Sequence, residues 1–64
     1  MPFLKYLKPT TLAAIVKDLE EALTEPGVEE GDAEVLYKLR VRAYTELIED
    51  QGLEEAANMT REAP

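Results

Sequence analysis

Carboxylates are the only plentiful side chains in this sequence that could act as an acid, a base or a metal ligand. The 64 residues include 14 Asp and Glu against 7 Lys and Arg, and they include no His, Cys or Ser. The chain therefore lacks the commonest general base, the thiol nucleophile and the usual zinc ligands. Any catalysis would have to come from paired carboxylates, one of them with a raised pKa.

The acids are concentrated in one stretch that contains no Lys or Arg. Its eight carboxylates are Asp18, Glu20, Glu21, Glu25, Glu29, Glu30, Asp32 and Glu34. The stretch lacks the ligand spacing of a calcium-binding EF-hand, and the chain has no glycine-rich phosphate loop. Acids on exposed segments have nothing to raise a carboxyl pKa, so we expect no enzyme activity, no metal site and no cofactor. A solvated surface is favoured over the alternative, a rigid acidic face that imitates nucleic acid.

Size and charge set the broad class of protein. A net charge of -7 disfavours nucleic-acid partners, because phosphate contacts require clustered cations. No apolar run approaches the roughly 18 residues of a membrane-spanning helix, and the N-terminus lacks a signal-peptide pattern. We therefore expect a cytoplasmic protein with no membrane partner. The length allows one small domain, and domains of this size often gain stability by self-association.

Proline and glycine divide the chain at Pro9, at Pro26-Gly27 and at Gly52. Residues 1–9 form a predicted N-terminal arm, and residues 10–25 form the first predicted helix. Large apolar residues recur in that helix at intervals of three and four positions, at Leu12, Ile15, Val16, Leu19 and Leu23.

The second predicted helix spans residues 33–51. Asp32 is its expected N-cap, and Gly52 suits the position just beyond its C-terminus. A short third helix is predicted over residues 53–59, followed by a frayed tail at residues 60–64.

The second helix carries an unusually wide apolar surface. With residues placed at about 100° intervals around the axis, its apolar side chains cover about 200°, whereas one packing partner needs little more than 100°. We therefore expect an all-α fold, an antiparallel helical hairpin with a short third C-terminal helix, in which two hairpins pair into a dimeric four-helix bundle. The alternative is a compact monomer in which residues 3–7 and 53–59 cover the second face.

Seven residues of this arc form the predicted interaction surface: Leu36, Tyr37, Arg40, Val41, Tyr44, Leu47 and Ile48. Arg40 lies inside the apolar arc, so its guanidinium needs an acidic partner, such as a carboxylate of a second copy, or a route to water. An anionic ligand is the less favoured explanation. Tyr37 and Tyr44 share one face, and tyrosine is enriched at the centres of protein interfaces.

The expected function is that of a small acidic non-catalytic module for protein–protein interaction, an adaptor or regulator that acts through the second helix. Its expected partners are a second copy of the chain and another protein. Two alternatives remain open at this point. One is an acidic inhibitor that imitates nucleic acid and captures a basic protein, and the other is a structural subunit of a larger assembly.

Overall fold

All regular secondary structure in the described part of the chain is helical. The computed structural model describes residues 2–64. A short 3-10 helix at Pro2–Tyr6 precedes three α-helices: α1 at Pro9–Leu23, α2 at Glu30–Gln51 and α3 at Leu53–Glu62. The predicted all-α class is therefore confirmed. None of the helices between residues 2 and 64 is both long enough and apolar enough to cross a membrane.

Two helices begin earlier than the sequence pattern predicts. α1 begins at Pro9 rather than at Thr10, because the fixed φ and missing N–H of proline suit the first turn of a helix. α2 begins at Glu30, so Asp32 lies in the first turn rather than at the N-cap. Both carboxylates there lie close to the positive end of the helix dipole, which favours the early start.

α1 ends at Leu23, two residues before the predicted end. The chain tightens here into bonds of the 3-10 type, with the N–H of Thr24 donating to the carbonyl of Glu21 and the N–H of Glu25 to that of Ala22. The hydroxyl of Thr24 also donates to the Glu21 carbonyl. Carbonyls at the helix end are thus satisfied before the chain turns towards α2.

α1 and α2 form the main helix pair of the fold. Glu20, near the end of α1, bonds to Arg40 in the first half of α2, whereas Leu12, near the start of α1, shares a groove with Glu49 near the end of α2. The two helices are therefore antiparallel, as in the predicted hairpin. The pairing of two hairpins into a four-helix bundle stays a prediction.

α3 folds back at Gly52 and packs against both α1 and α2. It runs to Glu62, whereas the pattern placed its end at residue 59 and a frayed tail at 60–64. Thr60 and Ala63 are buried instead, because they face the other helices. The ammonium of Lys17 on α1 also donates to the carbonyl of Ala63.

The core is small and rich in alanine. Its buried apolar members are Leu4, Leu12, Ala13, Val16, Ala43, Leu47, Ala56 and Ala63. Leu47 and Val16 are the largest side chains that are completely enclosed among the described residues. α1, α3 and the 3-10 helix all pack against α2, so most of its wide apolar arc is covered from three directions within one chain. The N-terminal segment and α3 thus contact α2 as the alternative arrangement expected, while the oligomeric state stays a prediction.

Candidate interaction surface on α2

The predicted interaction surface divides between the core and the outside of the molecule. Leu47 is 0% exposed, so it is core and unavailable to a partner in this conformation. Tyr44 and Ile48 are half-buried and pack against the core. Leu36 and Arg40 are also half-buried. Only Tyr37 and Val41, at 57% and 44% exposure, present large apolar surface to the outside.

Arg40 finds its partner inside the same chain. Its Nε and Nη2 atoms both donate to Oε2 of Glu20 on α1, at 3.0 and 2.6 Å. The guanidinium carbon also lies 5.4 Å from the centre of the Tyr44 ring, a distance at which cation–π attraction operates. Three side chains thus form one contact, which fixes α1 against α2 and meets the need of Arg40 for a carboxylate without a second copy.

Tyr37, Val41 and the groove that borders Val41 are called the open part of α2 below. Tyr37 and Val41 are four residues apart and therefore lie one turn apart on the same side of the helix. Val41 borders a groove of about 310 Å³ whose other lining residues are Leu4, Arg42, Thr45 and Glu46. Leu4 is buried and supplies an apolar wall from the 3-10 helix. The groove thus lies between α2 and the 3-10 helix and is lined by both apolar and polar side chains.

Charges around the open part of α2 are mixed, although the chain as a whole is acidic. Lys38 and Glu34 form an i,i+4 ion pair at 3.1 Å with both side chains largely exposed. Arg42, one turn along from Lys38, is exposed as well. Both signs of charge therefore border the exposed apolar side chains of α2.

Residues 3–7 were expected to cover part of α2, but the aromatic residues among them face outwards. Phe3 and Tyr6 are exposed on the 3-10 helix, while Leu4 between them is buried. The ammonium of Lys5 lies 5.5 Å from the centre of the Tyr6 ring. The sequence contains a signal for this division into a buried and an exposed side, because leucines at positions 4 and 7 alternate with aromatic residues at positions 3 and 6. Three-residue spacing puts each pair on its own side of a 3-10 helix.

The acidic stretch does not act as one unit. Glu20 bonds to Arg40, and Glu34 pairs with Lys38, so two of its eight carboxylates are engaged within the chain. Across residues 2–64, no three acidic side chains are grouped closely enough to hold a metal ion. The other six acids are all exposed, on α1, the linker and the start of α2.

Comparisons with protein-family models, with curated proteins and with solved structures find no match for this chain. The geometry of the surface is therefore the basis for assigning a function.

Proposed function

We propose that this protein is a small non-catalytic interaction module that binds another protein through the open part of α2. One observation carries the proposal: Tyr37, more than half exposed, lies one turn from exposed Val41 on a long helix, and Val41 borders a groove that the buried Leu4 also lines. Tyrosine combines a large apolar ring with a polar hydroxyl, which is why it anchors many interfaces.

The helix that carries this surface is packed against the core and against α1. Leu47 lies in the core one to two turns from Val41, and the Arg40–Glu20 contact holds α1 against the same helix. The side chains offered to a partner are thus carried by a packed helix, so little backbone ordering is required on binding. An adaptor or regulator works in this way, either by bridging two proteins or by covering a site on one of them.

The occupant that we propose for this surface is a different protein rather than a second copy. A homodimeric four-helix bundle would need the whole wide arc of α2, and Leu47, Tyr44 and Ile48 are already packed within their own chain. Paired anchors one turn apart instead suit a helix face that enters a groove on a larger protein.

The test is site-specific photo-crosslinking in the cells from which the sequence comes. A photoreactive phenylalanine replaces Tyr37 in one form of the protein and Val35 in the control form. Val35 is also 57% exposed on α2 but lies about 160° around the helix from Tyr37. We expect one discrete protein adduct from position 37 and none of the same mass from position 35.

The recovered partner is then titrated with purified variants. Tyr37→Ala and Val41→Ala should each weaken binding at least tenfold while the circular dichroism spectrum is unchanged, because both side chains are exposed. Identical adducts from positions 35 and 37 would contradict the proposal. Binding that survives Val41→Ala but is lost at moderate salt, or on charge reversal of Glu29 and Glu30, would instead support imitation of nucleic acid.

A further inference from the structure

The junction between α2 and α3 depends on a single glycine. Gly52 has φ 88° and ψ 158°, a backbone conformation that is essentially restricted to glycine. It is the one residue with positive φ between positions 2 and 64. A Cβ atom built on Gly52 would meet nothing within 4 Å. The glycine is therefore required by the backbone conformation and not by a lack of space.

The last hydrogen bond of α2 and the first of α3 are both made by Gly52, although its own φ and ψ are far from helical. Its N–H donates to the carbonyl of Ile48 at 2.7 Å, and its carbonyl accepts from the N–H of Ala56 at 2.9 Å. Both are the i to i−4 bonds of an uninterrupted α-helix. Straightening the junction would add only the three bonds from the amides of residues 53–55 to the carbonyls of residues 49–51.

Charges at the junction act in both directions. Glu49 and Asp50 lie in the last turn of α2, which contains no basic residue, and their unfavourable interaction with the negative end of the helix dipole disappears when α2 and α3 become one helix. Glu54 and Glu55 lie in the first turn of α3, where their favourable interaction with the positive end of the dipole would be lost. Straightening also places Asp50 and Glu54 at i,i+4. The conformation of Gly52 therefore carries more weight than the charges.

α3 is attached to the rest of the molecule by small side chains. Its buried residues are Ala56 and Thr60, with Ala63 just beyond its end, and Met59 is only partly buried. The two largest enclosed side chains, Val16 and Leu47, belong to the α1–α2 pair. Removal of α3 would therefore leave the hairpin paired and expose a surface on α1 and α2, which includes Ala13 and Lys17, shaped to receive this same segment.

We propose that two copies of this protein exchange α3. In the exchanged dimer α2 and α3 form one straight helix from Glu30 to Glu62, and residues 53–63 of each copy pack on α1 and α2 of the other. The occupant of the exposed surface is a second copy because the segment that fits it is present in every chain. Each contact of α3 in the monomer, including that of Lys17 with Ala63, is then made between chains. The exchange involves no contact at Tyr37 or Val41 and is independent of the function proposed above.

Replacement of Gly52 by an L-amino acid should drive the exchange. An alanine is disfavoured at φ 88° but favoured over glycine within a straight helix. Both effects act in the same direction, so the substitution at one hinge raises the ratio of straight to folded-back forms by at least about tenfold. A dimer contains two hinges, and its dissociation constant should therefore fall by about a hundredfold or more.

The experiment measures the solution mass of four full-length chains by light scattering over a range of concentrations. The wild type should be mainly monomeric at micromolar concentration, and Gly52→Ala should have twice the mass of one chain. Gly31→Ala is the matched control, because its Cβ also meets open space but its backbone has no positive φ, and it should behave like the wild type. A synthetic chain with D-alanine at position 52, which favours positive φ, should also stay monomeric.

Isotope-filtered NMR on a mixture of labelled and unlabelled Gly52→Ala chains then identifies the contact. Exchange predicts cross-peaks between the methyl groups of Ala13 in one chain and those of Thr60 or Ala63 in the other. A Gly52→Ala chain that is monomeric at millimolar concentration, whether folded or with α3 detached, would overturn the proposal. So would a dimer without these cross-peaks, because its interface would lie elsewhere.

Discussion

Removal of the charge on Arg40 tests the contact that fixes α1 against α2. The substitution Arg40→Met keeps an unbranched apolar stem but removes both hydrogen bonds to Glu20 and the cation above the Tyr44 ring. The matched change on the other helix is Glu20→Gln, which keeps the shape of the side chain. Together with the double variant they form a double-mutant cycle that isolates the pair.

The expected size follows from burial. Exposed ion pairs contribute about 0.2–1 kcal/mol, whereas breaking a fully buried pair costs about 3–5 kcal/mol. The side chains of Arg40 and Glu20 are 28% and 40% exposed, which places them between these limits and nearer the exposed one. With about 0.5 kcal/mol for the cation above the Tyr44 ring, we expect Arg40→Met to lower the unfolding free energy by about 1.5 kcal/mol. For a domain of this size the melting temperature should fall by roughly 6–12 °C.

Urea unfolding followed by circular dichroism gives the four free energies of the cycle. A coupling of about 1 kcal/mol between Arg40 and Glu20, smaller in high salt, would agree with an intrachain ion pair. The charge-reversed pair Arg40→Glu with Glu20→Arg should recover part of the stability that Arg40→Glu alone loses. Additive effects within about 0.3 kcal/mol would refute the reasoning. A coupling that appears only at high protein concentration would place the partner carboxylate on a second copy.

Two further predictions concern the core and the attachment of α3. Leu47→Ala should lower the unfolding free energy by about 2–5 kcal/mol, which is a large part of the stability of so small a domain. Leu53→Ala, at an exposed position, should change the unfolding free energy by less than about 0.5 kcal/mol. Thermal unfolding of the two variants compares these effects. Lys17→Met removes the donor to the Ala63 carbonyl, so the amides of α3 should exchange faster with deuterium while those of α1 are unaffected. Equal acceleration in both helices would show that Lys17 stabilises the whole fold instead.

The helices themselves were predictable because their signals are local. The repeat of Leu12, Val16 and Leu19 at intervals of three and four positions indicates α1, and Gly52 marks the end of α2. The end of α3 was less predictable. Thr60 has a weak intrinsic preference for helix, and it is helical here because it is buried against other elements and its hydroxyl bonds to the Ala56 carbonyl.

The candidate site was predictable only in part, because it depends on contacts between residues distant in sequence. The pattern shows that Arg40 needs a partner, but it does not show that Glu20, twenty positions earlier, supplies it. It also shows that α2 is apolar over a wide arc without showing which elements cover that arc. Leu47 and Tyr37 both belong to the apolar arc when residues are placed around the helix axis. The positions of α1, α3 and the 3-10 helix decide that Leu47 is buried in the core and Tyr37 is exposed.

The small size of the domain and of its core has a consequence for how the protein responds to temperature. Four of its eight buried apolar residues are alanines, so little apolar area is exposed when the chain unfolds. A chain of 64 residues has an unfolding enthalpy of roughly 45 kcal/mol, and a transition with that enthalpy extends over about 20 °C. The folded population should therefore decline gradually on warming, and any process that depends on the folded form would be graded by temperature instead of being switched off at a threshold.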